Sequence, residues 1–224
     1  KVVPPDLNAC AYQFTVLYDN TVLYGLGAIK GVGEGAIENI IEEREQHGKY
    51  KDLFDFCKRV DLRKVNKRVL EALVRGGAMD NIGPNRATLL HNIETALRMA
   101  DKHHKDQQSG VMDMFGFTEP AAAEGESEGH YEVVPEWKED YRLKLEKETL
   151  GLFLTGHPIA PYAAELRNMT TSRIVDLKPA KGNRVVVAGL VLDIRVINSR
   201  RGKMAIITLD DRSARIEFTL FAEA

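Results

Sequence analysis

The sequence predicts a mainly α-helical chain with a β part at its end. Three observations predict it. Apolar residues recur at helical spacing from residue 34 to about residue 105 and again from about Lys138 to near Gly156. After Thr170 the spacing shifts toward two, and β-branched residues dominate. Glycine and proline cluster at the joints between these stretches.

Residues 1 to 23 read as irregular and then extended. The prolines of VVPPD exclude a helix interior. FTVLYDNTVLY reads as two short strands around Asp19-Asn20. Glu34 to His47 reads as a helix with Ile37, Ile40 and Ile41 on one face and Gly48 as its stop. YKDLFDFCKRVD reads as a short helix, and NKRVLEALVRGGAMD as another that Gly76-Gly77 ends. NRATLLHNIETALRMADKHHKD is the longest, with Leu89, Leu90, Ile93, Ala96, Leu97 and Ala100 inward. Residues 106 to 135 are small, acidic and glycine-bearing, and predict a mobile exposed stretch. A further helix is expected from about Lys138 to near Gly156 and Pro158. RVVVAGLVLDIRVIN, KMAIITLDD and ARIEFTLFA then read as strands split by SRRG and DDRS turns. A sheet of three strands leaves open edges. That, and a first residue that is Lys rather than Met, lead us to expect a piece of a longer chain.

Composition narrows the function classes. The 224 residues are 44% hydrophobic and 29% charged, an ordinary globular balance. No apolar run nears the roughly 18 to 20 residues that span a bilayer, and no signal peptide is visible. Cys10 and Cys57 form no metal-ligand pattern, so reduced thiols and a cytoplasmic location are expected. The net charge of −2 hides two blocks. Between Lys58 and Arg75 seven cations face Asp61 and Glu71. Between Glu119 and Asp140 eight acids face Lys138 alone.

The stretch YGLGAIKGVGEGAIENII, residues 24 to 41, holds the chemistry. TVLY followed by Gly25, Gly27 and Gly31 approaches a dinucleotide fingerprint. That fingerprint needs a second strand ending in an acid, and a long helix stands there instead. A P-loop would need Gly-Lys-Ser/Thr, which is absent. Leu26, Ile29, Gly31, Val32, Gly33, Ala36 and Ile40 fit a helix-hairpin-helix pattern better. Gly31 and Gly33 permit a tight turn and a close approach to phosphate, and Val32 plugs the hairpin into the core. The N–H groups of the hairpin and of the helix start, through Gly35, form an anion nest, and Lys30 adds charge. Such contacts hold a DNA backbone without reading bases. Gly25 and Gly27 are expected to serve the approach from the preceding strand. The plain alternative is a glycine-rich turn with no ligand. VNKRVLEALVRGGAMD reads as a second, degenerate hairpin unit, with Lys64, Lys67 and Arg68 as candidate DNA contacts or simply a solvated face.

PPDLN, YGLGAIKGVG, FDFCKRVD, NKRVLEALVRGGAMD, LEKETLGLFLTGHPI and LDDRSARIEFTLF, in this order, resemble the alpha subunits of bacterial DNA polymerase III, the replicative family C polymerases. The resemblance runs along essentially the whole chain. It implies the end of the fingers region at 1–24, a helix-hairpin-helix domain at 25–105, and an acidic segment at 106–136 with a clamp-binding peptide. It further implies a helical connector at 137–170 and the start of an OB-fold at 171–224. The metal-binding aspartates of polymerisation are expected elsewhere in such a protein, so no cofactor is expected here and Mg2+ only with the catalytic domain. Asp210-Asp211 reads as turn chemistry. The clamp peptide falls on Val111, Met112, Asp113, Met114 and Phe115, with Val111 where the family usually has Gln. Capping of the preceding helices by Met112 and Phe115 is the plainer role. In the OB-like strands Arg195, Arg200, Arg201 and Lys203, with Arg212 and Arg215, are candidates for single-stranded DNA. Phe218 and Phe221 are the aromatics there, and one or both could be core. The implied partners are duplex DNA backbone, the sliding clamp, single-stranded template and other holoenzyme subunits, with no membrane. A stand-alone DNA-binding or repair module is the competing class, and a nucleotide-binding enzyme the distant one.

Overall fold

The computed structural model describes residues 1–18, 20–108, 129–178, 182, 184–199 and 202–221. The chain divides into two compact units, Lys1–Thr155 and Gly156–Ala224. Among the described residues no helix is long and apolar enough to cross a membrane.

The first unit opens on a small mixed sheet. β1 (Val2–Val3) runs parallel to β3 (Thr21–Leu23), and β2 (Thr15–Tyr18) pairs antiparallel to β3 on its other side with a bulge between Val16 and Tyr18. β1 was not expected, because two residues before a proline pair carry no period. Helices follow: α1 (Glu34–His47), α2 (Leu53–Arg59), α3 (Lys67–Arg75), α4 (Arg86–Gln108) and α5 (Glu139–Leu150). Their apolar stripes meet in one core, with Leu26, Ile37, Ile40, Leu53, Phe56, Leu70, Leu73 and Leu89 wholly buried. Cys10 and Cys57 are free and buried within it. Burial pushes the Cys57 thiol up to about 12, so it is a packing group rather than a nucleophile.

The ends of these helices show how local chemistry sets their limits. Asp52 caps α2 by accepting from Asp55 N at 2.8 Å. Arg59 reaches back to the end of α1, donating to the carbonyls of Glu43 and Gly48 at 3.0 and 2.8 Å while stacking on the Tyr50 ring at 4.4 Å. α5 ends at Leu150, earlier than the apolar pattern suggested. Gly151 takes φ 82, and its N–H closes on the Lys147 carbonyl at 2.9 Å.

The acidic stretch expected to be mobile through residue 135 is fixed from residue 129 onward. Polar side chains on α4 hold it like a missing strand. Asn92 donates to the Glu132 carbonyl at 2.9 Å and accepts its N–H at 3.0 Å. Thr88 does the same with Val134 at 3.0 and 3.1 Å. The Glu136 carboxylate accepts the N–H groups of Arg86 and Ala87 at 3.0 and 3.2 Å, capping α4. Composition alone misses this, because the partners are helix side chains far along the sequence.

The second unit carries α6 (Ala163–Met169), which lies within the stretch expected as a helical connector, and an antiparallel sheet β4 (Leu190–Ser199), β5 (Gly202–Asp210), β6 (Arg215–Phe221) in that order. The expected strand from residue 184 joins the ladder only at Leu190. Phe218 and Phe221 are both exposed, so neither is core in the described residues. The turn at 210–213 is built by its acids: Asp211 Oδ1 accepts from Ser213 N at 2.8 Å and Ala214 N at 3.0 Å. Burial works against the Asp210 carboxylate, yet hydrogen bonds from Arg215 and Arg212 N and the nearby His157 hold it below the usual range.

Candidate nucleic-acid interface

The glycine segment folds as a tight hairpin. A short 3-10 turn, Leu26–Ala28, leads to Ile29, which is buried, and then to exposed Lys30 and Gly31. Gly31 has φ 88, a left-handed conformation that a side chain disfavours. Val32 turns back into the core, and its N–H closes on the Ile29 carbonyl at 3.2 Å. Gly33 is the N-cap of α1 with φ −81 and ψ 157, an ordinary extended backbone, and a Cβ there would meet nothing within 4 Å. Gly35 also faces open space. Gly33 and Gly35 therefore answer neither strain nor crowding. They keep the surface over the start of α1 bare. Gly25 is different: a Cβ on it would lie 2.6 Å from the Gln13 backbone, so it serves the approach from the sheet.

That bare surface exposes unpaired donors. Among the described residues nothing accepts the N–H groups of Gly31, Gly33, Glu34 or Gly35, and all of these residues are exposed. They sit at the positive end of the α1 dipole. Glu34, at the first helical position, places one carboxylate beside them.

A second hairpin lies between α2 and α3. Val32, Gly33, Ala36, Ile37 and Ile40 of the first correspond in spacing to Val65, Asn66, Val69, Leu70 and Leu73, all buried except the two caps, Gly33 and Asn66. The two units differ in how they cap. Asn66 Oδ1 accepts the N–H groups of Arg68 and Val69 at 3.0 and 3.2 Å, so this hairpin answers those two donors itself. What it presents is cationic side chains. Lys64 and Arg68 are exposed, and Lys67 is paired with Glu94 of α4. Arg63 is held bidentate on Asp61, whose carboxyl it draws down to about 2.

The first hairpin is braced by the end of α5. The Thr149 carbonyl accepts the Lys30 N–H at 3.0 Å, and the Leu150 carbonyl accepts the Tyr24 hydroxyl at 3.0 Å. These are carbonyls that a helix end leaves without partners of its own. α5 is itself locked by Glu146, wholly buried, which faces Arg86 at 3.4 Å and accepts from Leu154 N, Thr155 N and Thr155 Oγ1. Neither Asn66 as a cap nor Glu146 as a brace was recognised in the sequence, although Asn before a helical stripe is a known start signal.

The other sequence candidates fall outside the described residues or belong to the second unit. Val111, Met112, Asp113, Met114 and Phe115 fall outside the described residues, as do Arg200 and Arg201. Arg195, on β4, is engaged by Glu217 at 2.9 Å and Asp193 at 3.2 Å, and Lys203 is exposed on β5.

The contrast between the caps yields a prediction. Gly33→Asn copies the second hairpin and is expected to stabilise the first unit by a few tenths of a kcal/mol, read as a slightly higher melting temperature. The new carboxamide then competes for the amide donors, and duplex affinity is expected to fall. Thermal melts and DNA titration of the same preparation check both signs.

The two braced hairpins define a helix-hairpin-helix protein, and a family model described as the helix-hairpin-helix motif matches residues 1–89. Along its full length the chain is 48% identical to the DNA polymerase III subunit alpha of Vibrio cholerae, covering 19% of that protein. It is 47% identical to the subunit of Pseudomonas aeruginosa and 46% to that of Escherichia coli K12, covering 20% and 19% of them. The chain belongs to the DNA polymerase III alpha-subunit family and spans about a fifth of the length of these relatives.

Proposed function

We propose that this segment grips duplex DNA through its backbone and positions a replicative polymerase on it, binding without catalysing. The observation that carries this is the row of exposed, unpaired N–H groups at Gly31, Gly33, Glu34 and Gly35 on the start of α1. Each can donate to a phosphate oxygen, and Lys30 adds a charge beside them. The second hairpin supplies Lys64, Lys67 and Arg68 as side-chain contacts. Similarity along the whole chain to polymerase subunits favours this over a stand-alone repair module. Fluorescence anisotropy with duplex DNA tests it. Binding that is independent of sequence and weakens with salt supports the reading; no binding at low salt overturns it.

Clamp tethering belongs to the same proposal. Met112, Met114 and Phe115 suit an apolar pocket on the sliding clamp, with Asp113 at its polar edge and Val111 at the leading position. Substituting Met114→Ala with Phe115→Ala is expected to abolish pull-down of the cognate clamp. Undiminished capture would sink the assignment. The β4–β6 sheet fits the first strands of an OB-fold, with Lys203 and, by sequence, Arg200 and Arg201 as candidate contacts to single-stranded template, and Arg195 dependent on release from its acids. Mg2+ and the nucleotidyl-transfer chemistry are assigned to the rest of such a polymerase, in a cytoplasmic holoenzyme with its other subunits.

A further inference from the structure

α4 carries cations that neither hairpin uses. Arg98, Lys102 and Lys105 are exposed and, with Glu94, fall on one stripe at helical spacing. Contacts at either end fix the direction of this stripe. At the start of α4, Arg86 donates to the Arg75 carbonyl at the end of α3, at 3.2 Å. Further along, Glu94 pairs with Lys67 in the first turn of α3. α4 is thus antiparallel to α3, and everything after Glu94 runs past the end of α3 from which the second hairpin projects. Asp101 and His104 of α4 line a cleft of about 530 Å³ with Asp61, Leu62 and Arg63 of that hairpin, so the helix flanks the loop.

The charge along the stripe is uneven in a useful way. Glu94 lies between Lys67 and Arg98, and both cations hold its carboxyl below the usual range, Lys67 the more strongly. Its charge is therefore answered within the protein. Asp101, also exposed, falls within the stripe between Arg98 and Lys105 and lines the cleft, so it offsets one of the three cations. Arg98, Lys102 and Lys105 face solvent, with Arg98 donating to Thr95 Oγ1 at 3.2 Å. From Glu94 to Lys105 the stripe covers roughly 17 Å at about 1.5 Å per residue. That matches about five base pairs at ~3.4 Å per phosphate along a strand.

We infer that the outer face of α4, through Arg98, Lys102 and Lys105, is a further phosphate-binding surface that lengthens the duplex track beyond the second hairpin. This rests on the duplex-binding reading above. It makes α4 a rail beside the hairpin tip, held to DNA by side-chain charge and not by amides.

The test uses the full chain carrying Arg98→Gln, Lys102→Gln and Lys105→Gln together, checked for parental circular dichroism. Affinity for duplex DNA is measured across salt, on the shortest duplex that binds and on one about five base pairs longer. The parent is expected to gain affinity on the longer duplex, and the triple variant to show no such gain. The variant's log–log salt slope is expected to be shallower by about 0.9 for each phosphate it no longer neutralises. An unchanged slope and an unchanged length gain overturn the inference. Gly31→Val separates the two claims. If it binds as the parent does while the triple variant is impaired, the amide grip falls and the rail stands. If it is impaired while the triple variant is not, the grip stands and the rail falls.

Discussion

Glu146→Ala is expected to destabilise the first unit by about 3 to 5 kcal/mol, the usual cost of breaking a buried charge pair. Glu146 is wholly buried and Arg86 nearly so, at 0% and 2% exposure. The substitution removes the acceptor of Leu154 N, Thr155 N and Thr155 Oγ1 and leaves Arg86 with Asp80 as its carboxylate partner. A thermal melt followed by circular dichroism is expected to drop on the order of 10 °C. Glu148→Ala, on the exposed face of α5, is the control and is expected to move little. The change has a functional side. α5 hands the Thr149 and Leu150 carbonyls to Lys30 N–H and Tyr24 hydroxyl, so loosening α5 loosens the first hairpin.

Gly31→Val is expected to weaken duplex binding by roughly tenfold or more, because one or more charge-assisted donors are removed at about 1.5 to 3 kcal/mol each. At φ 88 a β-branched residue is strongly disfavoured, at about 1 to 3 kcal/mol. Crowding is not the cause. A Cβ at Gly31 would lie 3.6 Å from the Ala72 Cβ, an ordinary contact. The backbone must instead leave the left-handed region, which re-aims the N–H groups of Gly31 and Gly33. Melting and anisotropy on the same variant check the two consequences together.

Much of this fold was legible because long amphipathic stretches announce themselves. α1 through α4 follow their apolar stripes, and Gly48 and Asp52 sit where such residues stop and start helices. The misses share a physical cause: they depend on partners distant in sequence. β1 exists only because β3 lies beside it. Residues 129–137 are ordered because Thr88, Asn92 and the start of α4 complete their hydrogen bonds. The hairpin was legible from Gly31 and Val32, and a second, degenerate unit from VNKRVLEALVRGGAMD, but the Asn66 cap of that second unit was not. Residues between Val60 and Asn66 carry no glycine, and only the structure shows Asn66 filling the space that Gly33 leaves open.

The central claim is that backbone N–H groups at the start of α1 hold phosphate, and position 34 tests it most directly. Glu34 is the first helical residue, follows an extended Gly33, and its N–H has no acceptor among the described residues. Proline fits such a position without disturbing the helix. Glu34→Ala and Glu34→Pro remove the same carboxylate and differ by one N–H. Measured side by side on duplex DNA, the alanine variant is expected to bind more tightly than the parent, and the proline variant about tenfold more weakly than the alanine one. Equal affinity of the alanine and proline variants would contradict the claim.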